Sequence, residues 1–155
     1  MREYLVLGGF LLLCFIAASS GAFFRPGDWY KALEKPRWRP PDWLFPPVWS
    51  ILYLMIAFSG WLVWKQAGFA GAGALALSVY GLQLVLNGLW SAVFFGLHRI
   101  GLALIELFCL WLSVLLMIAL FYPLSPLAAW LLVPYALWGS FAMALNARIW
   151  WLNRG

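Results

Sequence analysis

Five long apolar runs, at residues 3–24, 46–66, 73–95, 99–121 and 126–150, account for most of the chain, with shorter polar or proline-containing breaks between them. A helix needs about 20 mainly apolar residues to cross the hydrocarbon core, so each run predicts one spanning helix. None alternates apolar and polar positions as a barrel strand does. The pattern predicts an all-α membrane protein, a five-transmembrane-helix bundle forming a single integral membrane domain over residues 1–155. Only one connector is long, residues 25–45 between helices 1 and 2. The others are brief: a glycine-rich break after Lys65, the Gly96-Leu97-His98-Arg99 turn, and Tyr122 to Ser125, where Pro123 breaks the helix. Short connections make successive helices antiparallel neighbours. The first run carries Arg2 and the small residues Ala17, Ala18 and Ser19, as a secretory signal would. Four similar runs follow it, so it is read as a retained wall of the bundle.

The long connector leads into WRPPDWLFPPVWSILY, Trp38 to Tyr53. Pro40, Pro41, Pro46 and Pro47 lack backbone donors and fix φ, so no helix interior runs through them. Pro46 and Pro47 suit the first turn of the next helix. Earlier in the connector, Asp28 is expected to cap a short helix with Trp29, Ala32 and Leu33 on one face, Lys31 and Lys35 on another, and Pro36 as its stop. Such a segment fits either an interfacial helix or a lid over the mouth of the bundle.

The chain is 66% hydrophobic and 10% charged, against about 25% charged in soluble domains, so little of it is left for an extramembrane domain. The net charge of +5 does not indicate nucleic acid. Arg25, Lys31, Lys35, Arg37 and Arg39 all fall in one connector, where interfacial cations attract anionic lipid, and no folded module offers a continuous basic face. The first and third connectors and the C-terminus hold eight basic residues, against Arg2 and Lys65 on the opposite side. The positive-inside rule places the long loop and the C-terminus in the cytoplasm and the N-terminus outside. Cys14 and Cys109 lie in apolar runs and His98 is the single histidine. No metal site, disulfide scaffold or cofactor is expected.

Polar residues inside spans turn toward a partner or a cavity. Gln83, Asn87, Trp90 and Phe94 share one face of the third span at three- and four-residue spacing. Trp49 and Tyr53 open the second span, and the fifth carries Pro134, Tyr135, Trp138, Ala142 and Asn146. Two arrangements satisfy these groups equally. One is an aromatic-walled ligand cavity open toward the first loop. The other is an interfacial aromatic belt with Asn and Gln joining helices. Glu106 is the single acid well inside a span, and it calls for protonation, a polar partner or a place nearer the interface. Pro134 is expected to bend the fifth helix. No nucleophile–base set, carboxylate pair or phosphate loop is present.

Taken together, Pro26-Gly27-Asp28-Trp29-Tyr30, Lys35-Pro36-Arg37-Trp38-Arg39-Pro40-Pro41, then Pro46, Pro47, Trp49 and Tyr53 resemble the translocator protein (TspO/MBR) family of tryptophan-rich sensory proteins and peripheral-type benzodiazepine receptors. The likeness continues through Gln83, Asn87, Trp90 and Phe94-Phe95-Gly96, and ends with Pro134-Tyr135, Trp138 and Leu145-Asn146. The resemblance implies a usually dimeric five-helix bundle whose first loop closes a pocket for porphyrins such as protoporphyrin IX. It also implies binding of isoquinoline carboxamide or benzodiazepine-type ligands. Carried over residue by residue, the pocket comprises Trp38, Trp49, Tyr53, Asn87, Trp90, Trp138 and Ala142. Arg37 and Arg39 stand as propionate contacts. The sterol pattern of animal members needs a tyrosine after the Leu-Asn pair, where this chain has Ala147, which argues against sterol binding there. Within that family pattern the short chain points to a bacterial cell membrane.

Three functions compete on this reading. One is a porphyrin receptor or carrier with a sensory, regulatory or transport role. The second is a light- and oxygen-dependent porphyrin-degrading enzyme. The third is a membrane scaffold, for which Gly81 and Gly88 on the third span would permit close packing in a homodimer.

Overall fold

The computed structural model describes residues 2–24 and 26–154, so Arg25, one of the expected connector cations, lies outside the described residues. The chain forms α1 (Arg2–Phe23), a short α2 (Asp28–Ala32), α3 (Phe45–Ala67), α4 (Ala72–Ser91), α5 (Ile100–Phe121) and α6 (Pro126–Asn153). All but α2 are long and apolar enough to cross a membrane, and their ends match the expected spans to within a few residues.

Local chemistry sets those ends. A 3₁₀ turn, Asp42–Leu44, delivers the chain to α3, whose first turn holds Pro46 and Pro47, where a missing N–H leaves no bond unmade. Gly68 ends α3 with φ 66, a left-handed conformation that suits glycine. Ser125 caps α6 by accepting from the Ala128 amide at 3.3 Å, and Pro126 is the first helical residue. α6 is continuous through Pro134, which faces outward.

Two features differ from the sequence reading. α4 passes into a π turn over Ala92–Gly96, with the Leu97 amide bonded to the Ala92 carbonyl at 2.9 Å. The turn to α5 then bends at His98, which has φ 58. The second difference is in α2. Gly27 is its N-cap, and Asp28 is a helical residue that makes no side-chain cap bond. The helix ends at Ala32, before Pro36, where Leu33 turns to extended backbone (φ −70, ψ 147), and the Lys35 ammonium reaches back to the carbonyls of Tyr30 (2.6 Å), Leu33 (3.0 Å) and Lys31 (3.3 Å). Its buried residue is Tyr30, while Ala32 is exposed.

The spans form a ring in which α1 packs on α3 and α4, α6 on α3 and α5, and α4 on α5, with α3 also meeting α4. Tyr80 of α4 pins the end of the bundle away from the long loop. Its hydroxyl donates to the Ile56 carbonyl at 3.1 Å, and its ring meets Phe10 of α1 and Phe121 of α5. Gly60 lets these helices close, since a Cβ there would lie 2.7 Å from the Tyr80 ring and 2.8 Å from Phe10. Leu54, Leu82, Leu116 and Leu137 are exposed around the outside, as expected of an outer surface solvated by lipid tails. The molecule is a multi-pass integral membrane protein.

Gly60→Ala is expected to destabilise the bundle by about 1–3 kcal/mol through overpacking. Gly81→Ala, where nothing lies within 4 Å, is expected to be neutral or stabilising by up to about 1 kcal/mol. Thermal unfolding in one detergent checks both.

Candidate functional site

The second and fifth spans, α3 and α6, bring a chain of rings together at the loop end of the bundle. Trp49 lies 5.7 Å from Tyr53, 6.4 Å from Tyr135 and 6.4 Å from Trp138 between ring centroids. Trp138 continues to Phe45 and Phe141 at 5.6 Å each, and Phe141 to Trp38 at 5.7 Å. Most of these pairs are edge-to-face, the arrangement the ring quadrupole favours. Between α3, α5 and α6, Trp49, Leu107, Leu110, Trp111, Val114, Tyr135, Ala136, Gly139 and Ala142 line a free volume of about 10 Å³. That is room for about one water. The rings pack closely around this volume.

Beneath the rings runs a directional hydrogen-bond relay. The Tyr53 hydroxyl donates to Asn87 Oδ1, Asn87 Nδ2 to the Tyr135 hydroxyl (2.7 Å), and that hydroxyl to Gln83 Oε1 (2.9 Å). It joins α3, α4 and α6, and Gln83, Asn87 and Tyr135 are all buried. A separate pair closes the loop end, with Trp90 Nε1 donating to Asn146 Oδ1 (3.0 Å) and Asn146 Nδ2 to the Ile100 carbonyl (3.1 Å). Four buried polar atoms have no partner among the described residues: Gln83 Nε2, both Glu106 carboxyl oxygens and Trp138 Nε1. Of the three alternatives for Glu106, a hydrogen-bonded partner is not found among the described residues.

The connector lies docked on this end. Trp29 meets Phe94 edge-on at 5.7 Å and stacks on His98 at 4.2 Å, while Tyr30 packs against Phe94 and Phe95. Farther along, Asn153 of α6 accepts from the Glu34 amide (3.0 Å) and donates to the Glu34 carbonyl (2.8 Å). Burial, reinforced by the charge of Asp42 and opposed by Arg39, holds the Tyr30 phenol above its usual pKa of 10.0. Burial likewise lowers the pKa of Lys35.

The model of one protein family, described as TspO/MBR, matches residues 10–152. The chain belongs to the TspO/MBR family. It is 40% identical to protein CrtK of Rhodobacter capsulatus, over 94% of this chain and 91% of that one. It is 38% identical to the human translocator protein, over 95% and 89%. Against the tryptophan-rich sensory protein of Cereibacter sphaeroides it is 39% identical, over 93% and 89%.

On this family framework the structure gathers Trp38, Trp49, Tyr53, Trp138 and Ala142 around α3 and α6. Trp38 is 51% exposed at the rim. Asn87 has both ends of its amide in the relay, which leaves one N–H and one Oδ1 lone pair for any further bond. Trp90 stands apart from the α3–α6 rings, stacked on Phe94 at 5.0 Å beneath the docked loop. Arg37 is exposed, and Arg39 is paired with Asp42 at 3.1 Å. The sequence reading assigned no site residue to the fourth span, yet Leu107, Leu110, Trp111 and Val114 form one wall of the free volume. In a span that is apolar on every side, their three- and four-residue spacing does not set them apart from the lipid-facing residues. Among the described residues no cluster of His, Cys, Asp and Glu is able to hold a metal ion.

Asn87→Leu is expected to cost about 1–3 kcal/mol, because it leaves the Tyr53 hydroxyl without its acceptor and removes the donor to Tyr135, which keeps its bond to Gln83, while Tyr53→Phe, which breaks one bond of the relay, costs about 0.5–1.5 kcal/mol. Thermal unfolding ranks them. Because the docked loop favours the protonated Tyr30, its contribution is full below pH 10.0 and lost as pH rises through the higher folded-state value. The anisotropy of a fluorophore on Lys31→Cys is expected to fall across that window, and Tyr30→Phe to remove the step.

Proposed function

We propose that this protein is a membrane receptor or carrier for porphyrins and other flat, largely apolar ligands, including isoquinoline carboxamide or benzodiazepine-type compounds, with a sensory, regulatory or transport role. The ligand is held among Trp38, Trp49, Tyr53, Asn87, Trp90, Trp138 and Ala142. The observation that carries this reading is Trp138 Nε1, a buried N–H without an acceptor amid packed rings. A stranded donor in hydrocarbon is costly, and a ligand carbonyl or ring nitrogen inserted between Trp49 and Trp138 would satisfy it while stacking on the indoles. The exposed Arg37 suits a propionate at the rim, and Arg39 joins it by sharing or leaving Asp42. The relatives' names, translocator protein and tryptophan-rich sensory protein, support the receptor and sensory side. On this reading the loop and the C-terminus face the cytoplasm of a bacterial cell, and the protein works as a homodimer.

The closeness of Trp49 and Trp138, 6.4 Å between rings, favours a second reading. Oxidisable indoles beside a bound photosensitiser suit light- and oxygen-dependent breakdown of the porphyrin.

In lipid nanodiscs kept dark, protoporphyrin IX is expected to bind saturably, and Trp49→Leu/Trp138→Leu to weaken binding about tenfold or more. Equal affinity in a folded double variant removes the proposed site. Under illumination, unchanged pigment supports the receptor, whereas a discrete product formed over many cycles by undamaged protein supports the enzyme.

A further inference from the structure

The fold joins two basic segments that are far apart in sequence. The amide and carbonyl of Glu34 are both bonded to the Asn153 side chain, 119 positions away. The loop cations on either side of Glu34 therefore sit on the same rim as the end of α6. There, Arg148 and Arg154 both lie over the Trp151 ring, at 4.4 Å and 5.0 Å from its centroid, so one indole gathers two guanidiniums.

These charges are not spent within the protein. The single ion pair among the described residues is Arg39 with Asp42, and Lys35 is committed to backbone carbonyls. Glu34 contributes its backbone to the tether, and its carboxylate pairs with neither arginine. That leaves Lys31, Arg37, Arg148 and Arg154 exposed, with Trp151 exposed beside them. The arginines flank an interfacial indole at the end of a 28-residue apolar helix, where lipid phosphates lie. A guanidinium offers a phosphate oxygen pair two parallel N–H donors, and stacking on an aromatic face holds it ready.

We propose that the end of α6 and the tethered loop form one site for the phosphate headgroup of an anionic phospholipid. Arg148 and Arg154 take the phosphate, Trp151 seats at the glycerol level, and Lys31 and Arg37 close over the headgroup from the loop. Since the Glu34–Asn153 bonds join the two halves, a lipid held there steadies the docked loop. The opposite end of the bundle provides a control, because Lys65 lies over Trp61 at 4.6 Å there, away from the docked long loop.

The test uses the full chain in nanodiscs of phosphatidylcholine alone or with added phosphatidylglycerol, reading retained lipid by native mass spectrometry and deuterium uptake across residues 30–39. Phosphatidylglycerol is expected to be retained and to slow uptake in wild type and in Lys65→Gln. Arg148→Gln/Arg154→Gln is expected to lose the slowing and to weaken lipid retention about tenfold or more. Arg154→Gln alone, at the exposed position just after the last helical residue, is expected to lose part of both and keeps the test independent of the helix interior. Wild-type behaviour in the double variant overturns the proposal. So does equal slowing by millimolar inorganic phosphate in phosphatidylcholine discs, which would make the site one for free phosphate.

Discussion

A polar group inside a bilayer must find its partner within the protein, because the surrounding hydrocarbon offers none. Much of this bundle follows from that requirement. The relay from Tyr53 through Asn87 and Tyr135 to Gln83 is the central answer to it, drawing α3, α4 and α6 to one depth. Apolar packing between helices does not distinguish neighbour from lipid tail, whereas a hydrogen bond between named side chains does. The relay therefore fixes which helices meet and at what height, and the rings above it inherit that registration. Trp49 and Trp138 face each other because Tyr53 and Tyr135, about one turn away on the same helices, are already held to Asn87.

The same constraint gives the leftover polar atoms their meaning. In a well-satisfied interior, the unpaired Trp138 N–H and the far end of Gln83 are exceptions. Both lie in or next to the ring cluster, beside the free volume between α3, α5 and α6. The docked loop covers the same end, anchored at one edge by aromatic contacts to Phe94 and Phe95 and at the other by Asn153. The ring cluster and the docked loop thus lie at a single end of the molecule, while the Tyr80 cluster serves as the packed base.

The spans and their order were legible in the sequence because membrane helices announce themselves by length and apolarity, and the prolines and glycines between them marked the ends. The face shared by Gln83, Asn87, Trp90 and Phe94 was equally readable from spacing. What could not be read was pairing. Nothing in the sequence says that Asn87 chooses Tyr53 and Tyr135, that Trp90 chooses Asn146, or that Asn153 reaches back to Glu34, since such choices depend on helix rotation and tilt. The α5 wall was overlooked for a related reason. Its leucines and Val114 carry no polar signature, and along a uniformly apolar helix the side facing protein looks like the side facing lipid. The capping role expected of Asp28 failed because Gly27 takes the cap and leaves the aspartate one residue too far in.

The π turn at Ala92–Gly96 bears on how such a loop contact arises. Regular α geometry sets consecutive side chains about 100° apart around the axis, as a period of 3.6 residues requires, so Phe94 and Phe95 would diverge. The wider turn lets both rings meet Tyr30, at 6.0 Å and 5.4 Å. A π turn accommodates one more residue than the α-helix around it. The extra residue of that turn thus sets how Phe94 and Phe95 face the loop, and shortening the turn by one residue would swing one ring away from Tyr30.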